Sequence, residues 1–368
     1  MELLVALVVV GLLSTAVFSF FLRTSQGVSQ QSANGEMWQR GRNAMAIMRQ
    51  AIESAGYGLP SYSQCPNGVV GINSTSAQGG ALVAITASVQ SYDTSLTAQG
   101  GTAPYSFSTV IGGGSLGGAP ATTVVGYSGN SSGSSENINV TNTQLLNPCD
   151  IALIVPQGGG TCLMGQITNI TKGSSNKVGF NSGSSCGLQL NPTQIFAALP
   201  NTPTAPSISG ANLYDLGSQH FLFTQFQIME NPAGNTPTLY MTQYTGSQAT
   251  APTPQALASG VVVLQMQYGL TSGMSTSVSA WMSPTAYNQS IANGTNPGTI
   301  VAVQLAMLIR STQYLPNSLS PASFDVLGQT YTVPTSGGPG CLQGNCRHYA
   351  YHLFQSIIPV RNGIWGSE

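Results

Sequence analysis

The sequence predicts an α+β chain: one long N-terminal α-helix, apolar in its first half, packed on a β-rich globular head. Three observations predict it. Residues 3–22, LLVALVVVGLLSTAVFSFFL, form an almost unbroken apolar run. From Arg23 to Ala55 no proline intervenes, and apolar residues return at helical spacing. After Pro60, short β-prone pieces recur between Gly-, Pro- and Asn-rich turns.

The first element is the apolar run. Twenty helical residues cover roughly 30 Å, enough to cross a bilayer. Its polar members Ser14, Thr15 and Ser19 carry hydroxyls that can bond back to the helix backbone. A cleaved signal peptide has a basic start and a small-residue cleavage site after a shorter apolar core. Here Met1 is followed at once by Glu2. A carboxylate at the edge of a membrane helix is costly unless paired, which makes Glu2 a functional candidate. The plainer role is an acid at headgroup level, favoured by the helix dipole. The residues alone leave both open.

The helix is expected to continue past the apolar run. Trp38, Gly41, Met45, Met48 and Ile52 fall at spacings of three and four on one face, so Trp38, Met45, Met48 and Ile52 are the candidates for packing against the head. Arg40, Arg42, Arg49 and Glu53 lie mostly off that face, and Gly56, Gly58 and Pro60 stop the helix. A helix of about 55 residues is roughly 80 Å long. The expected organisation is therefore a helix over 1–56 and a β-rich, disulfide-containing head over 57–368, elaborated across 65–215.

In the head, FLFTQFQIM (221–229) and TLYMTQY (238–244) read as a hairpin joined by ENPAGNTP. LQMQY (264–268) alternates like a half-buried strand. Val301–Ile309 and Tyr351–Val360 read as two more strands. The Ser/Thr/Gly/Asn-rich tract from about 70 to 145 carries β-prone pieces such as ALVAITASV and ATTVVGY, and reads as strands with long loops.

Composition narrows the function. Of 368 residues only 5% are charged, with 9 Lys+Arg, 10 Asp+Glu and a net charge of −1. Soluble proteins average about 25% charged residues. So few cations cannot neutralise many phosphates, and nucleic acid is not an expected partner. The six cysteines, Cys65, Cys149, Cys162, Cys186, Cys341 and Cys346, favour disulfides and an oxidising compartment. The short, Gly-containing loop favours Cys341–Cys346, and Cys149–Cys162 is the second expected pair, as strand ends joined through Gly158-Gly159-Gly160.

Gly112-Gly113-Gly114-Ser115-Leu116-Gly117 fits two glycine motifs, but β-prone residues follow where a helix is needed. Cys341, Cys346, His348 and His352 suggest zinc. In a strand, however, positions 348 and 352 lie about 13 Å apart, so a disulfide beside a strand is expected and no metal. The acids are scattered, which favours neither hydrolysis nor calcium. No catalytic residue and no cofactor is assigned. Six N-x-S/T sequons begin at Asn73, Asn130, Asn139, Asn169, Asn288 and Asn293.

MELLVALVVVGLL resembles the N-terminal segment of type IV pilins and type II secretion pseudopilins. WQRGRNAMAIMRQAIESAGYG resembles the second half of the helix in the PilW family of pilus proteins. ALASGVVVLQMQYGL, IVAVQLAMLIRS and RHYAYHLFQSIIPVRNG, with Arg361 and Asn362, resemble that family's later strands. The resemblance implies a type IV pilin-like fold and a structural rather than enzymatic role. It further implies that the subunit waits in the inner membrane and is extracted into an extracellular helical filament. Its implied partners are identical subunits, other pilins and the pilus assembly machinery. Glu2 would pair with the N-terminal amine of a neighbouring subunit. Leu3, Leu4, Val8, Leu12, Phe18 and Phe21 would pack in the filament core. Minor pilins or pseudopilins of a priming or tip complex are the alternative, and a membrane-anchored surface adhesin is the second. In type IV pilins the glutamate follows a cleaved leader ending in Gly by a few residues. Here only Met1 precedes Glu2, so the processing site is not read from this chain.

Overall fold

The computed structural model describes residues 2–60, 65, 69–71, 85–89, 105–113, 120–128, 136–158, 161–173, 175–181, 186–187, 190–191, 196, 208–219, 221–231, 236–246, 252–271, 277–293, 295, 297–316, 318–335 and 344–361. Within these, side chains at 2–9, 22, 23, 26, 69–71, 86, 88, 89, 230, 231 and 292 are not described. Helix α1 runs without a break over Glu2–Ser54. Gly56 and Gly58 end it with φ of +81° and +72°, a left-handed conformation that a Cβ disfavours.

Among the described residues the head is built from three main sheets. The four-stranded sheet has the order β15-β14-β16-β19, from Ala280–Met282, Val261–Thr271, Thr299–Arg310 and Tyr351–Pro359, all antiparallel. The five-stranded sheet has the order β13-β12-β11-β3-β2, from Gln255–Ser259, Thr236–Tyr244, Leu222–Asn231, Tyr105–Ile111 and Ile85–Val89. The expected hairpin is β11–β12, paired from Phe223↔Tyr244 to Asn231↔Thr236. Between the two sheets lies the short helix α2, Pro284–Ala292, capped by Ser283, whose side chain accepts from the Ala286 N–H.

These two sheets and α1 share one core. Met48 and Ile52 from the helix meet Phe107, Phe226 and Leu239 from one sheet and Leu264, Val303, Leu305 and Met307 from the other. Phe107 and Phe226 stack at 4.7 Å between centroids. Tyr268 on β14 crosses to β2, where its hydroxyl accepts from the Ala87 N–H at 2.8 Å. Burial pushes the Tyr268 hydroxyl up in pKa and keeps it neutral.

The half-buried reading of 264–268 is corrected: β14 is buried on both faces. Its second face is covered by a hairpin of β17 (Ser323–Val326) and β18 (Gln329–Thr332), together with Cys346 and Tyr349. The alternation is real, but its polar members are enclosed. Gln267 donates to the Leu327 carbonyl at 3.2 Å.

The third sheet has eight strands in the order β1-β7-β6-β10-β4-β5-β9-β8. Their ranges are β1 Val69–Gly71, β4 Thr122–Tyr127, β5 Asn137–Val140, β6 Ile151–Val155, β7 Cys162–Gln166, β8 Asn169–Thr171, β9 Lys177–Gly179 and β10 Asn212–Gly217. All pair antiparallel except β1 with β7. This sheet has separate apolar clusters and carries two disulfides.

The expected Cys149–Cys162 pair is overturned. The bridges are Cys65–Cys162 and Cys149–Cys186. The register explains why. β6 and β7 pair with Ile151 opposite Gln166 and Ile154 opposite Leu163, so Cys162 sits near the hairpin turn. Cys149 lies at the far end, donating its N–H to the Ile167 carbonyl. At about 3.3 Å per residue the two are far beyond disulfide reach. Cys346 is also disulfide-bonded, while Cys341 lies outside the described residues.

Two further readings change. His348 is not in the last strand but in a 3-10 turn, Cys346–His348, where its ring nitrogen meets the Ser318 carbonyl at 3.0 Å. The strand-spacing argument against zinc therefore does not apply, and Cys341 is not described. Of the glycine motif only Gly112 and Gly113 are described. Their N–H groups donate to the Tyr57 and Leu216 carbonyls.

Candidate assembly interface

The candidate interface is α1, and its two halves meet different surroundings. In the half over 10–21, Val10, Leu12, Leu13, Val17, Phe18, Phe20 and Phe21 are 61–72% exposed. The hydroxyls in this half turn inward to the helix itself. Ser14 donates to the Val10 carbonyl at 2.8 Å, Thr15 to Leu12 at 2.8 Å and Ser19 to Ala16 at 2.9 Å. The polar groups thus leave the apolar surface uninterrupted. Val10, Leu13, Ser14, Val17, Phe18 and Phe21 line one open face.

The second half is seated on the head. Ala33, Met37, Gly41, Ala44, Met48, Ile52 and Ala55 are buried at spacings of four and three, as one helix face requires. A fully buried Met or Ile side chain contributes about 1.5–3 kcal/mol. Gly41 marks the closest approach: a Cβ there would lie 2.1 Å from Cε2 of Phe354 on β19. No side chain larger than hydrogen fits without moving that ring.

Of the expected packing residues, Met48 and Ile52 lie in the core and Met45 packs partly buried against it. Trp38 stands at the edge, 45% exposed. Its ring lies on His352 with centroids 3.8 Å apart and meets Phe354 edge-on at 5.3 Å. Desolvation there holds His352 below the usual histidine pKa of 6.5. Met37 and Ala44 were missed by the sequence face, which was read one position round. Their signal was the spacing of four through Ala33, Met37 and Gly41.

Polar contacts frame this seat. Arg40 reaches Glu36 at 3.7 Å and bonds the Ser259 hydroxyl on β13. Glu53 is held by Arg49 at 2.6 Å and by Arg361, just past β19, at 3.4 Å. Higher up, Gln313 hydrogen-bonds Ser29.

The remaining expected assembly residues divide in two. Leu12, Phe18 and Phe21 are exposed on the free half. Glu2, Leu3, Leu4 and Val8 lie within α1, with side chains outside the described residues. Among the described residues no helix is long and apolar enough to cross a membrane. Much of the run over 3–22 falls among the undescribed side chains. Among the described residues no three His, Cys, Asp or Glu side chains converge as a metal site.

Residues 225–362 match the model of the PilW family, type IV pilus-assembly protein W. This makes the C-terminal part of the chain type IV pilus-related. The match starts within β11 and ends just past β19, so it covers the sheet on which α1 sits. It leaves out α1 and every strand of the eight-stranded sheet. No curated protein matches the sequence. Among solved structures the chain is similar to a type IV-like pilin from Thermus thermophilus. That alignment has 14% identity, covers 39% of this chain and 67% of that one, and has a TM-score of 0.22. At that score the likeness carries no structural argument.

Proposed function

We propose that this chain is a structural subunit of an extracellular, type IV pilus-like filament and polymerises through α1. The observation that carries the reading is the split exposure of one continuous helix. Large apolar side chains over 10–21 stand in the open, while the same helix over 33–54 is fixed to the head. An apolar cylinder needs a nonaqueous cover, either lipid or a sheath of like helices. Exchanging one cover for the other costs little, so a subunit can wait in the inner membrane and then be extracted into a filament.

In this reading residues 1–56 form the membrane and filament-core segment, and 57–368 the head. Leu3, Leu4, Val8, Leu12, Phe18 and Phe21 pack against neighbouring helices. Glu2 pairs with a neighbour's N-terminal amine, which removes a buried unpaired charge and sets the axial register. Partners are identical subunits, other pilins and the assembly machinery. The role is structural, with no catalysis and no cofactor. The type IV pilus-related match over 225–362 supports it. The family's description as an assembly protein favours a second reading, a minor pilin or pseudopilin in a priming or tip complex.

Shear-released surface material, imaged by electron microscopy and quantified by mass spectrometry, tests these readings. A filament fraction dominated by this chain supports the main-subunit role. Trace amounts beside an abundant smaller pilin overturn it in favour of the priming or tip role. Retention in the membrane fraction while filaments are shed overturns both and favours an anchored adhesin.

A further inference from the structure

Three of the six N-x-S/T sequons, at Asn139, Asn169 and Asn288, lie wholly within the described residues. The other three include residues outside them. A glycan acceptor must present its side-chain nitrogen at the surface, with the hydroxyl two residues on open beside it. Asn139 fails. It lies in β5, between β4 and β9, and its amide oxygen is buried. The hydroxyl of Thr141 is already paired with that of Thr122 at 2.9 Å. Asn288 fails as well: it is half-buried on α2, and its Nδ2 donates to the Ala87 carbonyl at 3.2 Å.

Asn169 meets the requirement. β8 is the terminal strand of the eight-stranded sheet, with β9 on one side and, among the described residues, no strand on the other. Side chains at i and i+2 of a strand share a face. Asn169 and Thr171 are accordingly both exposed, while Ile170 between them packs against the apolar cluster that holds Val178 and Phe180. The amide is also oriented. Its partner across the ladder is Gly179, where a Cβ would overlap the Asn169 amide oxygen. The missing side chain lets Asn169 lie over the sheet. Its Oδ1 accepts from Asn181 Nδ2 at 3.2 Å and lies 3.3 Å from the Thr168 hydroxyl. An amide's oxygen and nitrogen diverge from one carbon, so fixing the oxygen over the sheet turns the nitrogen away from it.

We propose that Asn169 is the acceptor of an N-linked glycan, carried on the open edge of the eight-stranded sheet. The donor is an oligosaccharide joined to a lipid pyrophosphate. Nδ2 of Asn169 attacks the anomeric carbon of the first sugar. A C–N bond forms, the bond from that carbon to the pyrophosphate oxygen breaks, and the lipid pyrophosphate leaves. Nδ2 gives up one proton. The edge supplies a physical reason for the modification. An edge strand offers unpaired N–H and C=O groups to other chains, and proteins commonly guard it with charge. Only 5% of this chain is charged, and β8 itself carries no charge. A glycan is a bulky, solubilising cover that needs none. The inference requires the head to reach the outer side of the membrane but does not require it to polymerise.

The test recovers the full chain from sheared surface material and from membranes of its own cells, and reads its peptides by mass spectrometry with electron-transfer fragmentation. A sugar mass is expected on Asn169, with Asn139 and Asn288 bare. Asn169→Gln and Thr171→Val should each abolish it, and Thr171→Ser should keep part of it. A bare Asn169 in the wild-type chain overturns the proposal, whether or not the variants fold. So does a sugar attached to a Ser or Thr of the same peptide, or one on Asn169 that persists in Thr171→Val. A bare Asn169 in abundant shed filaments overturns this proposal alone and leaves the filament reading standing. A glycosylated chain that never enters filaments does the reverse.

Discussion

Residues 10–21 and 33–54 belong to one unbroken helix, yet only the second stretch is amphipathic. The first has apolar side chains around its whole circumference, and its hydroxyls bond its own carbonyls. The second has one apolar line, at Ala33, Met37, Gly41, Ala44, Met48 and Ile52, with polar contacts at its margins. A helix with a single apolar line finds its cover in its own chain. A helix that is apolar all round must find it elsewhere. The contrast separates folding from assembly on one element, and substitutions in the two halves should fail in different ways.

The largest expected effect is Glu2→Ala: the protein still inserts in the membrane and the head still folds, but filaments in the sheared fraction are lost or severely reduced. Normal filaments from that variant would remove the pairing role given to Glu2. Met48→Ala lies at the opposite extreme of the comparison. It leaves a cavity where helix and both sheets meet and should cost about 2–5 kcal/mol of stability, read by urea unfolding of the full chain in detergent. Gly41→Ala should cost about 1–3 kcal/mol in the same assay, because Phe354 has to shift. If neither loses stability, the helix is not seated as described.

The pH response of the seat should be smaller. His352 is held below 6.5 by burial beside Trp38, so folding favours its neutral form. Its contribution is complete above pH 6.5 and is lost as pH falls through the lower folded value. The unfolding midpoint should therefore fall on acidification, and His352→Phe should remove that part of the fall. Least of all, Glu53→Gln should cost under about 1 kcal/mol, since both arginines it meets are largely exposed. A larger loss would mean that Arg361 and Glu53 fasten the end of β19 to the helix more tightly than an exposed pair should.

Much of the element pattern was legible because it depends on local periodicity. The helix stop at Gly56 and Gly58, the β11–β12 hairpin and the strands expected at 301–309 and 351–360 all follow from spacing and turn residues. Readings that needed distant partners went astray. The sequence places position 348 at strand spacing from His352, beside the strand expected over 351–360. The backbone instead makes a 3-10 turn capped by Asn345, whose side chain accepts from the Arg347 N–H. The packing face of α1 was read through Trp38, the largest apolar side chain in reach, although Ala44 and Met37 go deeper. Size signals hydrophobic content, but proximity to β19 at Gly41 decides which side faces inward.

The sequence by itself determined a long helix with an apolar beginning, a charge-poor β head, six cysteines that favour an oxidising environment and the resemblance to pilus proteins. These are properties of composition and of neighbours along the chain. Only the tertiary structure decided that Cys162 joins Cys65 and Cys149 joins Cys186, because the register of β6 on β7 sets which sulfurs meet. Only it showed β14 enclosed on both faces and Arg310 buried against a sulfur. Each of these depends on residues brought together across tens to hundreds of positions, and local periodicity carries no information about which distant surface closes over a given face.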